Sequence, residues 1–198
     1  MYQPTSLPVQ LAGLGAYLPE RRVTSTALAA QLGLAPGWIE RRTGVCERRY
    51  GDGQNVVEMA VAAIHQALAM AERTVDEIDL IIGASTAPHQ TIPCTASLVQ
   101  RALGAPDGGS LCFDTNATCL SFLVALHNAA HLVASGAYRT VVIYSSELPS
   151  RSLNPAEPES AVLFGDGAAA AVLTRTPPGA GSCVGPGHFA TFSSGAEL

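Results

Sequence analysis

One stretch constrains this chain more than any other: SLCFDTNATCLSFLVALHNAAHLVASGAY, from Ser110 to Tyr138. Ser110 to Asp114 predicts a short buried strand, and Thr115, Asn116 and Thr118 supply a polar turn of helix-capping types. Cys119 then opens a long helix. From Cys119 to Ala134 there is no Pro, no Gly and no formal charge, and Gly136 stands where helices commonly stop. Leu120, Phe122, Leu123, Leu126, Leu132 and Val133 leave almost no polar face, so this helix is expected to be buried all round. A thiol in its first turn meets unpaired backbone N–H groups and the positive end of the helix dipole, and both favour the nucleophilic thiolate. The alternative is an inert buried thiol, the commoner fate of a cysteine in apolar surroundings.

The flanking sequence alternates strands with helices. Val9 to Leu18 predicts a Gly-rich strand, Thr24 to Leu32 a short helix, Pro36 to Gly44 a second, and Glu47 to Tyr50 a small strand. Asn55 caps a helix reaching about Arg73, with Val56, Met59, Ala60, Ala63, Ile64, Ala67 and Leu68 on one face. Asp79 to Ala84 is a continuous apolar run suited to a central parallel strand, followed by a loop and a helix from Ala96 to Leu103. Tyr138 to Ser146 is a further buried strand. Ala161 to Leu163 and Ala168 to Thr174 are expected as strands bracketing the turn Phe164-Gly165-Asp166-Gly167. This order predicts a layered α/β domain with a mainly parallel sheet over residues 1–176, followed by a weakly structured tail over 177–198.

Composition removes several function classes. Hydrophobic residues make up 47% of the 198 positions and charged residues only 14%, as in a globular chain with a sizeable core. No apolar run reaches membrane-spanning length, and the N-terminus lacks a basic segment ahead of its apolar stretch, so neither a membrane span nor a secretory leader is expected. Cys46, Cys94, Cys112, Cys119 and Cys183 are odd in number and form no C-x-x-C pair, which disfavours a zinc site, a disulfide framework and any other metal role. A reducing cytoplasm fits. A net charge of −5 offers no overall attraction for nucleic acid. Every basic residue is Arg, and six of the eleven (Arg21, Arg22, Arg41, Arg42, Arg48 and Arg49) fall within the first fifty positions. Guanidinium groups so clustered suit phosphate contacts, with a solvated surface as the alternative.

Two further patterns carry less. Gly165, Gly167 and Ala170 have the spacing of a dinucleotide-binding turn, but a strand-like segment follows and no acid stands at the required distance. Among the histidines, His127 lies eight residues beyond Cys119, roughly 12 Å along a helix at about 1.5 Å per residue, too far to activate the thiol. His131 is further away, His65 is mid-helix, His188 is in the tail, and His89 lies in a loop that could line a pocket. The chain therefore offers a nucleophile without a convincing base.

At WIERRTGVCERRY, DTNATCLSFLVAL and LFGDGAAAAVL, together with the opening GAYLPERRVT, the sequence resembles the β-ketoacyl-acyl carrier protein synthase III family of the thiolase superfamily. The resemblance covers nearly the whole chain and matches the N-terminal half of the family's two-half architecture. It implies a thiolase-like layered α/β fold around a buried central helix. It also implies that Cys119 accepts an acyl group from acyl-coenzyme A as a thioester, for condensation with a malonyl group on acyl carrier protein in fatty acid biosynthesis or related lipid metabolism. Trp38, Arg42 and Thr43 match positions that contact coenzyme A, where an aromatic face suits a base and a guanidinium suits phosphate. Ile92 falls where the family places a side chain shaping the acyl pocket, often across a homodimer interface. No permanently bound cofactor is implied; acyl-coenzyme A is a substrate. The sequence departs from the family at Pro158, where a second adenine-stacking Arg is expected, and the family's His and Asn belong to a second half that Leu198 precedes. Association with that half or with a second copy is expected. Two alternatives stand beside condensation: a non-catalytic partner subunit, and acyl transfer to a hydroxyl or amine acceptor.

Overall fold

In chain order the elements are β1 (Val9–Tyr17), β2 (Arg22–Thr24), α1 (Ser25–Gln31), α2 (Trp38–Thr43), β3 (Glu47–Arg49), α3 (Val56–Met70), β4 (Leu80–Gly83), α4 (Thr95–Ala102), β5 (Leu111–Asp114), α5 (Ser121–Ala134), β6 (Thr140–Glu147), α6 (Pro158–Ala161) and β7 (Gly167–Arg175). They lie within residues 6–195, which the computed structural model describes; residues 1–5 and 196–198, including the end of the expected tail, lie outside the described residues. Five strands form one sheet in the order β1-β7-β6-β4-β5. β4 pairs in parallel with both β5 and β6, while β7 runs antiparallel to β6 and to β1. Four of the five strands thus share one direction and β7 alone reverses.

Alternation of side chains along each strand builds two cores from one sheet. Ile81, Val142, Tyr144 and Val172 point to one face and pack with α3 and α4 through Met59, Ala63, Ile64, Ala67 and Val99. Leu80, Ile82, Val141, Ile143 and Leu173 point to the other and pack with Ala125, Ala129, Ala130 and Val133 of α5. The result is three layers, helix on sheet on helix. α3 carries a full capping box, with Asn55 accepting from Val57 N and Glu58 N, and its seven buried positions are those the periodicity assigns to one face. It lies directly on the backbone of β1. A Cβ built on Gly13 would come within 2.1 Å of the Ala67 carbonyl oxygen, and one on Gly15 within 2.0 Å of that of Ala63.

Several expectations are corrected. The helix expected at Cys119 begins at Ser121, because Thr118 adopts a left-handed φ of 54° that no helical residue can share. α5 is also not buried all round. Its inner side meets the sheet, but Leu123 on its outer side is half exposed, because no element among the described residues covers it. The strand expected at Ala161–Leu163 is instead the end of α6, where Pro158 starts a helical turn and Ala161 N and Val162 N donate to Glu157 and Pro158 carbonyls. Phe164 to Gly167 therefore links a helical turn to a strand. β2 escaped the sequence reading; it pairs with β3 and packs, with α1 and α2, on a separate small cluster of Leu28, Ala29, Ile39 and Val162. Beyond β7, Leu7 and Val184 exchange backbone hydrogen bonds of 2.8 and 3.0 Å that hold the first part of the tail against the entry to β1.

Because the atoms facing Gly15 are backbone, neither side can rotate out of the way. Gly15→Ala should lower the melting temperature by about 4–10 °C, as expected for overpacking a rigid contact. Thermal denaturation followed by circular dichroism measures it, and an unchanged transition would contradict the close approach of α3 to β1.

Candidate active site at the strand ends

The C-terminal ends of β4, β5 and β6 meet at one edge of the molecule, the place where open α/β sheets form crevices. β5 ends at Asp114, whose carboxylate turns back to accept from Thr95 N at 2.6 Å and Ala96 N at 2.9 Å. It thereby caps α4, whose own N-cap residue, Cys94, provides no side-chain acceptor. From Asp114 the chain passes into the turn that presents Cys119. Thr118 N donates to Asn116 Oδ1, Ala117 N to Ser121 Oγ, and Ser121 Oγ in turn to the Thr118 carbonyl at 2.7 Å. Asn116 Nδ2 reaches across to the carbonyl of Thr86. These bonds hold Thr118 in its left-handed conformation, which is costly for a β-branched residue and concentrates at functional sites.

Cys119 sits immediately after this strained residue and is exposed. It precedes Leu120, the N-cap of α5, which supplies no side-chain acceptor to the first-turn N–H groups. The thiol is therefore not core-bound: it faces outward beside a helix N-terminus that has no side-chain cap, one residue before the N-cap rather than within the first turn. The Leu120 and Ser121 N–H groups beside it donate to the Ala117 and Thr118 carbonyls, each at 3.1 Å, so the dipole of α5 rather than these two donors acts on charge at the sulfur.

The other expected site residues fall in two places. Trp38, Arg42 and Thr43 all lie on α2, where the Arg42 guanidinium sits 5.1 Å from the Trp38 ring centre, within cation–π range. The Thr43 hydroxyl is turned inward, donating to the Ile39 carbonyl and accepting from Val45 N. Ile92 is 84% exposed on the loop between β4 and α4. His89 on the same loop is exposed as well. The arginine cluster is largely occupied with structure. Arg22 pairs with Glu47, Arg41 and Arg49 donate to the Pro36 and Pro19 carbonyls, and the buried Arg48 donates to the Val23 and Val162 carbonyls and to Ser25 Oγ. Arg42 forms no such bond among the described residues.

Four residues near these elements were not singled out from sequence. Asp166 is buried and gathers Gly51 N, Ser150 N and Ser150 Oγ, pinning two loops to the start of β7. Tyr144 and Asp114 flank a cavity of about 300 Å³ that Asn116 also lines. Glu147, at the end of β6, receives hydrogen bonds from Thr86 N and Ala87 N, yet burial outweighs them and pushes its carboxyl above the usual carboxylate range. Among the described residues no group of three or more His, Cys, Asp or Glu is placed to hold a metal ion, and no helix is long and apolar enough to cross a membrane.

Helices packed on both faces of a mixed sheet, and a cysteine where a strand passes into one of them, place the chain in the thiolase-like class. The model of the 3-oxoacyl-[acyl-carrier-protein] synthase III family matches residues 113–189, which include Cys119 and the Phe164–Gly167 turn. A β-ketoacyl-[acyl-carrier-protein] synthase III of Streptomyces coelicolor is 39% identical over 189 residues, covering 95% of this chain and 56% of the relative. An acetoacetyl CoA synthase, NphT7, of a Streptomyces species is 39% identical over 196 residues, covering 98% of this chain and 58% of the relative. Among solved structures, the synthase III of Aquifex aeolicus superposes with a TM-score of 0.80 at 36% identity, over 84% of this chain and 54% of that one. The priming β-ketosynthase of the R1128 polyketide pathway gives 0.81 at 31% identity, over 90% of this chain and 54% of that one. The chain belongs to the β-ketoacyl-[acyl-carrier-protein] synthase III family and matches the N-terminal part of its members. It spans about half the length of the curated relatives it matches.

Two outcomes follow from the local geometry. Glycine adopts a positive φ without steric cost, so Thr118→Gly should stabilise the fold by about 0.5–1 kcal/mol, read as a higher denaturation midpoint; a loss would mean that the threonine side chain is needed for the turn. Glu147 holds its proton more tightly in the folded state than in the unfolded chain. Its cost to stability is therefore absent at low pH and appears as pH rises from the ordinary carboxylate value through the raised one. Glu147→Gln should melt higher than the unsubstituted protein at pH 7, with the difference vanishing below about pH 4. A difference independent of pH would refute this.

Proposed function

We propose that this chain carries the acyl-accepting half of a type III ketosynthase, with Cys119 as the acceptor and acyl-coenzyme A as the donor. The observation that carries this reading is the position of Cys119: exposed, directly after a strained residue, at a helix N-terminus that has no side-chain cap. The Cys119 sulfur attacks the thioester carbonyl carbon. A new C–S bond forms as the bond to the coenzyme A sulfur breaks, and that sulfur leaves with the proton from the Cys119 thiol. Trp38 and Arg42 hold the donor's base and phosphate end, a role supported by their stacking and by the lack of any competing hydrogen bond on Arg42 among the described residues. Thr43 serves by shaping the end of α2, since its hydroxyl is engaged with that helix's own backbone.

In the condensation that would follow, a malonyl group on acyl carrier protein loses carbon dioxide and its carbanion attacks the thioester, freeing Cys119. The family resemblance places the His and Asn for that step in the part of the relatives that this chain does not match. The half-exposed Leu120, Leu123, Leu163 and Phe164 support association with further polypeptide, whether that part or a second copy. A second copy would give the exposed Ile92 a pocket to line.

Incubation with butyryl-coenzyme A followed by intact mass spectrometry should reveal a single acyl adduct that is absent from Cys119→Ala. Arg42→Ala should raise the donor concentration needed for half-labelling about three- to tenfold. An adduct that survives in Cys119→Ala, or none in the unsubstituted protein, would overturn the assignment.

A further inference from the structure

Tyr144 is the largest side chain buried almost completely in this protein, with 1% of its surface exposed. Its hydroxyl has no hydrogen-bond partner among the described residues, an expensive state for a buried polar group. The hydroxyl faces the cavity of about 300 Å³ at the ends of β4, β5 and β6, within the range of small-ligand sites. The opposing group is the Asp114 carboxylate. Each of its oxygens accepts one backbone bond from the start of α4 and keeps a lone pair to spare. Between the two lies bare backbone. A Cβ on Gly83 would stand 2.5 Å from Asp114 Oδ1 and 2.8 Å from the Tyr144 hydroxyl, so only glycine leaves room for both. The two groups do not bond each other; they look onto one gap. Ser85, Gln90, Thr91 and Asn116 add polar groups to a lining that Pro88 and Cys94 make largely apolar elsewhere, so hydrogen-bonding partners are concentrated in few places.

The chemistry of the gap selects its occupant. A carboxylate can only accept, and the Tyr144 proton needs an acceptor. A group that donates to Asp114 while accepting from Tyr144 satisfies both at once. An alcohol hydroxyl does this; a methyl terminus does neither, and an ammonium cannot accept. Asn116, on the cavity rim, precedes Cys119 by three residues, at most about 11 Å of chain.

We propose that Tyr144 and Asp114 form a hydroxyl-recognising subsite, which selects short acyl groups bearing a terminal hydroxyl for loading on Cys119. This rests on Cys119 being the acyl acceptor. Tyr144 determines specificity and takes no part in bond making. Replacing it with Phe keeps the ring in the core and removes only the unpartnered oxygen, so the fold survives the substitution.

Two measurements separate the subsite from the acceptor assignment. In saturation-transfer NMR, butane-1,4-diol should receive magnetisation from the unsubstituted protein and lose most of it in Tyr144→Phe, whereas n-butanol should give equal signals with both. In competition labelling, 4-hydroxybutyryl-coenzyme A should outpace butyryl-coenzyme A at Cys119 by about three- to tenfold, and Tyr144→Phe should erase that ratio. Equal diol signals in the two proteins would mean that the cavity holds water only and would overturn the subsite. Labelling without preference, despite a Tyr144-dependent diol signal, would overturn its role in acyl selection. Absence of any label alongside a Tyr144-dependent diol signal would refute the Cys119 acceptor and its hydroxyacyl selection together, leaving only hydroxyl recognition in place.

Discussion

Everything in this molecule depends on the inner strands β4, β6 and β7, which are buried on both faces of the sheet. β4 has no exposed residue, and its alternating side chains feed two separate cores, one under α3 and α4 and the other under α5. Burial of this kind contributes about 25 cal/mol for each Å² of apolar surface withdrawn from water, and it places the helices before any polar contact is made. It also dictates close approach. Where α3 crosses β1 the strand gives up side chains altogether, and Gly13 and Gly15 let the helix carbonyls rest on the strand backbone. The Ala run of β7, Ala168 to Ala171, keeps both layers near the sheet in the same way.

Once the strands are held, their C-terminal ends have to converge, and the polar chemistry collects there. Asp114 is the pivot. It closes β5, caps α4 across twenty residues of chain, overlooks Gly83 and starts the turn that carries Cys119. That turn is anchored by side-chain bonds from Asn116 and Ser121, and they hold Thr118 in a conformation it would not choose alone. Strain beside the exposed Cys119 fits the proposal that it is the nucleophile, because a scaffold that fixes a reactive group can also support an unfavourable backbone. The small unit of β2, β3, α1 and α2 is tied to the rest by a buried guanidinium, Arg48, which spans from Val23 to Val162. Most of the arginine-rich start of the chain is thus committed to architecture; among the described residues Arg21 and Arg42 make no side-chain hydrogen bond, and of the two only Arg42 lies over an aromatic ring, that of Trp38.

α5 holds the widest gap between sequence and structure. Its composition is that of a helix with protein on every side, yet only one side is covered here. The composition and the geometry agree if the uncovered side belongs against further polypeptide, and the chain spans only about half the length of its relatives.

Much of the architecture was legible because it follows from period and composition. The seven buried positions of α3 and the doubly buried β4 are local patterns that burial enforces; the strand-turn-helix around Cys119 was legible too, although β5, expected as buried, is an edge strand with Leu111 and Asp114 exposed. The exceptions have local causes too. The onset of α5 moved because one backbone angle at Thr118 depends on bonds from neighbouring side chains, and Ala161–Leu163 became helical because Pro158 nucleates a turn that apolar content does not reveal. Tyr144 and Asp114 lie thirty residues apart in an apolar run and at a strand end, and nothing in either segment marks them as neighbours. The sequence by itself determined the layers, the order of strands and helices, and the cysteine at the mouth of α5, since hydrophobic periodicity acts over a few residues. Only the tertiary structure decided which polar groups face one another across Gly83, which arginines of the N-terminal cluster are committed to backbone carbonyls, and which side of α5 stays bare, because pairing between distant segments is set by packing, and packing is a property of the whole chain.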